Sequence, residues 1–151
     1  MGVGGKVMLI GEYRHSIDSK KRLSLPAKFR KEMGKDVVMT HGLDNCIFIY
    51  PKKEWQKISE ELGKLGVGQS DKRSFNRFIL GGAVETPIDA LGRMLIPDFL
   101  KEFAKLKNKV ALIGVHNRVE IWDDGRWQSY KKKVQGKADE LAEKLGDLGA
   151  L

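Results

Sequence analysis

A short basic stretch near the amino terminus carries the residues with the clearest chemistry. Asp18 and Arg22 lie four residues apart, and Arg14 precedes them. The residues between Asp18 and Arg22 are Ser19, Lys20 and Lys21. An Asp that opens a turn bonds to the backbone after it, so we predict a hairpin across which Asp18 and Arg22 face each other. Lys and Arg bind phosphates, and Arg can also bind guanine through two hydrogen bonds.

The same frame of residues returns in the second half of the chain. One constant shift, which we call the first shift, superimposes Ile17, Asp18, Arg22 and Pro26 on Ile88, Asp89, Arg93 and Pro97. After one inserted residue the match continues with a second shift, which is one residue longer than the first. It extends from Val38, which falls on Val110, to Gln56, which falls on Gln128. Ten identities in order predict two copies of one structural unit. For Asp89 and Arg93 we favour a structural salt bridge, an interpretation that stays open for Asp18 and Arg22.

Charge distinguishes the two copies. The net charge is +8, from 28 Lys and Arg against 20 Asp and Glu, which favours a polyanionic partner. Residues 19–31 contain six basic residues and no acidic residue, whereas residues 90–102 contain two of each. With Arg14 on the predicted partner strand, four cations surround the first loop. We therefore expect phosphate contact from the first copy.

Several classes of function find no support in the sequence. His15, His41 and His116 are scattered and lack the spacing of metal ligands, and no Ser, His and Asp pattern matches a hydrolase motif. We predict no enzymatic activity, no metal and no cofactor. The single cysteine, Cys46, lies in an apolar run, which favours packing over a reactive thiol. Without a membrane-spanning run or a signal peptide, we expect a cytoplasmic protein.

The elements that must position the loop are short. Each copy is predicted to contain a strand, a turn, a strand, a short helix, a hairpin and a helix. Neither copy has enough strands to cover its own edges, so we predict an α+β fold in which both copies build one small barrel about a pseudo-twofold axis, with peripheral helices. The predicted segments are a flexible lead (1–7), a first repeat (8–62), a linker with a helix (63–82), a second repeat (83–134) and a helical tail (135–151).

Residues 9–30 closely resemble the opening of the bacterial MraZ family. The similarity continues through Gly42-Leu-Asp, Tyr50-Pro-x-x-Glu-Trp55, Ile88-Asp-x-x-Gly-Arg93 and Asn117-Arg-Val-Glu-Ile-Trp122, and it spans about residues 8 to 144. The resemblance implies a duplicated barrel of the AbrB/SpoVT-like swapped-hairpin type. By position it implies DNA contact by Arg14, Ser19, Lys20, Lys21 and Arg22. The family usually has Gly at the place of Lys21, and Gly tolerates a positive φ better than Lys does.

The resemblance further implies a transcription factor that binds repeats upstream of the division and cell-wall gene cluster as a ring of subunits. We therefore expect a sequence-specific regulator of transcription, with repression favoured, that binds duplex DNA as a homo-oligomer and associates with the nucleoid. Two alternatives stay open. One is a nucleoid protein that binds DNA of any sequence. The other is a scaffold that binds an acidic protein partner.

Overall fold

Two runs of six elements follow the same order along residues 7–149, the part of the chain that the computed structural model describes. The first run comprises β1 (Leu9–Ser16), β2 (Arg22–Ser24), α1 (Ala27–Met33), β3 (Asp36–His41), β4 (Ile47–Pro51) and α2 (Lys52–Gly63). After α3 (Ser70–Ile79), the second run comprises β5 (Val84–Pro87), β6 (Arg93–Leu95), α4 (Asp98–Phe103), β7 (Lys109–His116), β8 (Val119–Asp123) and α5 (Asp124–Gly136). Helix α6 (Ala138–Asp147) follows. The predicted α+β class is confirmed.

The ends of the chain were assigned to a lead and a tail. Residues 1–6 of the predicted flexible lead, and residues 150–151 of the tail, lie outside the described residues. Val7, also assigned to the lead, packs against the hydrophobic core. Helix α6 buries none of its side chains, and its apolar residues Leu141 and Leu145 are exposed.

The strands form one open sheet and a separate ribbon. Six strands pair in the order β1-β7-β8-β4-β3-β5, and all five pairings are antiparallel. β2 and β6 pair only with each other within residues 7–149. The ladders of this region leave β1 and β5 at opposite ends of the sheet, so the predicted closed barrel is wrong. The sheet stays open because β2 lies beside β1, and β6 beside β5, without forming a ladder to either.

The predicted pairing of the first hairpin is also wrong. The chain turns after β1 as expected, but β1 pairs with β7 over its whole length, from Leu9 opposite His116 to Ser16 opposite Lys109. β2 instead pairs with β6 of the other copy, with Leu23 opposite Met94. Both of these side chains are completely buried. Burial of apolar residues from both copies in one ribbon favours this exchange over a local hairpin.

The pairing follows the predicted pseudo-twofold relation. Leu23 and Met94, which face each other at the centre of the ribbon, are equivalent residues by the first shift. Phe48 and Glu120, which face each other at the centre of the sheet between β4 and β8, are equivalent by the second shift. Each equivalent pair therefore meets at the axis, and the axis passes through both the ribbon and the sheet.

The structure corrects the sequence alignment of β3 with β7. Met39 and Leu112 occupy equivalent places, because each pairs with the isoleucine of its own copy in β4 or β8. Met39 and Leu112 are separated in the sequence by one residue more than the second shift. Val38, the residue before Met39, therefore corresponds to Ala111 and not to Val110. The hairpin between β7 and β8 is one residue shorter than its counterpart, which restores the second shift at β8.

Alternation along the strands builds one core on each face of the sheet. The face towards the ribbon, α1 and α4 carries the larger core, which includes Leu23, Leu25, Phe29, Met39, Ile49, Met94, Leu100, Leu112 and Ile121. The opposite face carries a smaller core beneath α2 and α5, made of Cys46, Phe48, Tyr50, Ala111, Ile113 and Trp122 with Trp55, Ile58 and Trp127 packed against it. The ribbon therefore covers the larger core, and its outward-facing side chains are part of the protein surface.

Candidate nucleic-acid interface

The turn from Asp18 to Arg22, which we call the basic loop, is organised by one carboxylate. Asp18 Oδ1 accepts hydrogen bonds from the backbone N–H groups of Lys20 and Arg22, each at 2.9 Å. Its Oδ2 accepts a hydrogen bond from Arg22 Nε at 2.8 Å. The N–H of Lys21 donates to the carbonyl of Asp18 at 3.0 Å, which closes the turn. One side chain therefore sets both the backbone of the loop and the position of its Arg.

These bonds also affect the charge of Asp18. The hydrogen bond from the Arg22 backbone N–H, with smaller contributions from the Arg22 side chain and the Lys20 N–H, lowers the pKa of Asp18 below its ordinary value. Each of these bonds favours the ionised carboxylate. Asp18 therefore stays negatively charged at neutral pH and keeps its bonds to the loop.

The turn from Asp89 to Arg93, the twin loop, has the same framework. Asp89 Oδ1 accepts from the N–H groups of Leu91 and Arg93 at 2.9 and 2.8 Å, and Asp89 Oδ2 accepts from Arg93 Nε at 2.8 Å. The predicted salt bridge between Asp89 and Arg93 is confirmed. The backbone N–H of Arg93 is the main cause of the lowered pKa of Asp89. The Asp-x-x-x-Arg spacing thus specifies a loop geometry that does not depend on the charges of the three residues between the Asp and the Arg.

Lys21 takes a backbone conformation that Gly adopts more readily than Lys does. Lys21 has φ 62°, and Gly92 at the equivalent place in the twin loop has φ 81°. A side chain in this region crowds its own backbone, so Lys21 is held there at some cost. The loop geometry expected for Gly is therefore kept, and a cation is added at its tip.

The outward side of the loop is basic and accessible. Ser19, Lys20 and Lys21 are exposed, and the side chain of Arg22 is 31% exposed. Arg22 donates a hydrogen bond to Asp18 through Nε. Its two terminal nitrogens donate no hydrogen bond to any acceptor within residues 7–149. A guanidinium fixed in this way presents two parallel donors to a planar acceptor such as a guanine edge or a phosphate.

The structure does not bring Arg14 into this loop. Arg14 lies opposite Ala111 in the ladder of β1 with β7, and its Nε contacts Asp124 of α5 at 3.2 Å. Its neighbour Tyr13 points to the other face of the sheet, where it packs edge-on against Phe29 of α1. The prediction of a fourth cation at the loop depended on pairing between β1 and β2. That pairing is not formed, so Arg14 projects from the face covered by α5.

Arg30 of α1 is a basic residue near the loops that the sequence did not single out. A Cβ atom at Gly92 would collide with the Arg30 guanidinium, so the side chain of Arg30 lies directly over the twin loop. It thus brings a cation of the first copy to the neutral loop of the second. In the sequence, the sign of this contact was that Gly92 stands in the twin loop where Lys21 stands in the basic loop. That difference does not show which side chain fills the space beside Gly92.

The described residues offer little support for other chemistry. Within residues 7–149, no three His, Cys, Asp or Glu side chains are placed to hold a metal ion. No helix in this range is long and apolar enough to span a membrane. Cys46 is buried, and burial raises the pKa of its thiol, which suits the packing role that its apolar run predicted.

Comparison with known proteins agrees with this duplicated architecture. The family model described as "MraZ protein, putative antitoxin-like" matches residues 8–78 and again residues 79–146. The chain belongs to the MraZ family. The resemblance found in the sequence is thereby confirmed, and the family model treats the chain as two matching units, as the paired Asp-x-x-x-Arg motifs do.

Curated MraZ relatives are similar over nearly their whole length. A protein of Natranaerobius thermophilus is 46% identical over 140 residues, covering 93% of this chain and 98% of its own. Proteins of Caldanaerobacter subterraneus subsp. tengcongensis and Syntrophomonas wolfei are 49% and 48% identical, covering 91% and 94% of this chain and 96% and 99% of theirs. All three are named transcriptional regulator MraZ. This MraZ family consists of regulators, which confirms that the chain is not an enzyme.

Proposed function

We propose that this chain is a sequence-specific DNA-binding regulator of transcription, with repression favoured, and that the basic loop contacts DNA. The observation that carries the proposal is Arg22, held by Asp18 at 2.8 Å on an exposed loop that also bears Lys20 and Lys21. Lysines would contact phosphate, which gives affinity, and the oriented Arg would contact base edges, which gives specificity. The names of the curated relatives support regulation as the outcome.

The proposed contact surface is Ser19, Lys20, Lys21 and Arg22. The family resemblance also includes Arg14, and this residue has a different setting. It is 60% exposed, but its Nε pairs with Asp124 of α5, which places it on the face of the sheet opposite the ribbon. We therefore assign Arg14 a peripheral phosphate contact at most. The proposal places the protein in the cytoplasm, at the nucleoid.

One subunit presents one basic loop, which buries little surface on DNA. We propose that subunits assemble into a ring, with the interleaved β2–β6 ribbon as a swapped-hairpin core in each subunit, and that several loops bind repeated promoter boxes upstream of division and cell-wall genes. Linked loops raise the effective concentration of each second contact, so affinity exceeds that of one loop by a large factor.

The two Asp-x-x-x-Arg loops offer a matched pair of variants for the test. Arg22→Ala should abolish the preference for native DNA, because it removes the guanidinium from the basic loop. Arg93→Ala removes an equivalent salt bridge, at 2.8 Å, from the twin loop and should leave DNA binding close to wild type. The measurement is fluorescence anisotropy on the DNA upstream of the chain's own gene and on a scrambled duplex, from low to high salt.

The salt series separates the proposal from its alternatives. Wild type should prefer the native duplex by roughly a thousandfold or more, while affinity for both duplexes falls steeply with salt. Coincident curves for the two duplexes would favour a nucleoid protein that ignores sequence. Weak binding to both, unaffected by Arg22→Ala, would favour a scaffold for protein partners. Assembly of both variants, measured by light scattering, should match that of wild type.

A further inference from the structure

Lys21, at the tip of the basic loop, is tied to the second copy by two bonds. Its carbonyl accepts a hydrogen bond from the N–H of Ile96 at 2.9 Å. Its Nζ contacts Oδ1 of Asp98, the first residue of α4, at 2.7 Å. The residue with the positive φ is thus fixed through both its backbone and its side chain to one short segment of the other copy.

Only one of the two equivalent places has this ion pair. In the twin loop the backbone bond is kept, since the carbonyl of Gly92 accepts from the N–H of Leu25 at 2.8 Å. Gly92 has no side chain, however, and the residue equivalent to Asp98 by the first shift is Ala27. The backbone bond therefore belongs to the shared architecture, and the pair of Lys21 with Asp98 is an addition to the basic loop.

We propose that Asp98 limits the contact of Lys21 with DNA phosphates and thereby sets the sequence-independent part of the affinity for DNA. This inference rests on the proposed function. In the protein alone, Asp98 holds Lys21 at 2.7 Å, and both side chains are accessible, at 73% and 49%. On a duplex, Lys21 exchanges the carboxylate for a phosphate. The carboxylate then remains beside the DNA backbone as an unfavourable negative charge.

The charge of Asp98 is secure at neutral pH. The hydrogen bond and the charge of Lys21 lower the pKa of Asp98, and Lys101 adds a smaller effect in the same direction. Lys21 therefore always meets an ionised competitor. A lysine that is already paired displaces fewer counterions from DNA, because part of its charge is neutralised before contact. Since phosphates carry no base identity, the effect is the same on any duplex.

Asp98→Asn tests this by removing the charge with little change in shape. We expect roughly two- to fivefold tighter binding at low salt, the range of an exposed ion pair. The plot of log affinity against log salt should become steeper by up to about 0.9, the value for one phosphate contact. Both changes should be equal on the native and scrambled duplexes. Asp147→Asn on α6 is the matched control, since it makes the same change in net charge.

A second background shows whether Asp98 acts through Lys21. In Lys21→Gly, which restores the residue that suits φ 62°, Asp98→Asn should lose most of its effect on affinity and on the salt dependence. Three results would overturn the inference: weaker binding by Asp98→Asn, no change, or an equal gain in the Lys21→Gly background. In each case, loss of native preference in Arg22→Ala would show that the proposed function survives. If wild type shows no native preference, the proposed function fails first.

Discussion

At the scale of residues, the Asp-x-x-x-Arg motif separates geometry from charge. Asp18 and Asp89 make the same set of bonds, with closely similar lengths. The residues they enclose differ, with Lys20 and Lys21 in one loop and Leu91 and Gly92 in the other. Because the Asp and Arg carry the loop shape, the intervening positions can vary in charge without changing it.

The carboxylate of the motif predicts a defined pH response. The pKa of Asp18 is below its ordinary value of 3.8, so the bonds to the loop are present above that pH and are lost as pH falls through the lowered pKa. Arg22→Ala should raise the pKa of Asp18 part of the way back, because the backbone bond stays while the side-chain bond is lost. The pKa of Asp89 should not change. NMR titration of the carboxyl carbons measures both values in one experiment.

The twin carboxylate makes this measurement self-controlled. An Asp18 that titrates at or above its ordinary pKa in wild type would contradict the loop geometry. Equal shifts of Asp18 and Asp89 in Arg22→Ala would indicate a general change of charge and not a local bond. At neutral pH Asp18 stays ionised, so its titration should not alter DNA binding there.

Residue identities predicted the local contacts but not those between copies. The spacing of Asp18 and Arg22 predicted that they face each other, while the family resemblance, with Gly at the place of Lys21, implied a loop geometry that suits Lys poorly. The contacts of Lys21 with Asp98, and of Arg30 with the twin loop, join residues that lie far apart in the sequence. Neither local sequence indicates the residue that is contacted, because each contact depends on how the ribbon joins the two copies.

At the scale of elements, strand positions were predictable while strand partners were not. Periodicity and turn residues indicated β1 and β2 on either side of a turn, and the nearest partner for each was the other. The structure pairs β2 with β6 and β1 with β7. Sequence alternation defines which side of a strand is apolar but not which strand lies beside it. The completely buried Leu23 and Met94 decide the outcome through their shared burial.

The exchange of strands predicts that neither half of the chain folds alone as a monomer. Four of the six ladders join the two copies, namely β1–β7, β2–β6, β3–β5 and β4–β8. Separate fragments of residues 8–78 and 79–146, the two segments that match the family model, would each lose these four ladders. We expect little structure in either fragment and recovery of the native circular dichroism spectrum when they are mixed.

Size-exclusion chromatography completes that experiment. The mixed fragments should elute as a one-to-one complex. Self-association of one fragment with recovered structure would still agree with the exchange, because a second copy of the fragment supplies equivalent strands. A folded fragment at the size of a monomer would contradict it. The intact chain, treated identically, provides the reference spectrum.

At the scale of the whole molecule, the two copies differ in charge, so under the proposed function each subunit has one DNA-contacting loop. Of the basic residues of 19–31, only Arg22 and Arg30 have basic counterparts in residues 90–102, where Asp98 and Glu102 balance Arg93 and Lys101. Under the proposed function a single loop would contact few base pairs, so the proposed ring and the repeated boxes are both required for tight binding.

Repeat number should therefore control affinity. Duplexes with one, two and three native boxes should bind with increasing affinity, and the step from one to two should exceed the twofold gain that statistics alone supply. Insertion of about half a helical turn between boxes, roughly 5 base pairs, should cancel most of that gain by turning the second box away from its loop. Anisotropy on matched duplexes of constant length measures the series, and a single box that binds as tightly as three would contradict it.

The meeting of Phe48 with Glu120 on the axis has a wider consequence. In a dimer of identical chains, a residue on the axis meets itself, and every substitution appears twice. Here the two halves are joined in one chain, so Ala27 and Asp98, or Lys21 and Gly92, can evolve separately at equivalent places. A symmetric reader is matched to palindromes, which look the same from either strand. A DNA-binding protein whose halves have diverged is asymmetric, so its target sequences should be non-palindromic and have one orientation along the DNA.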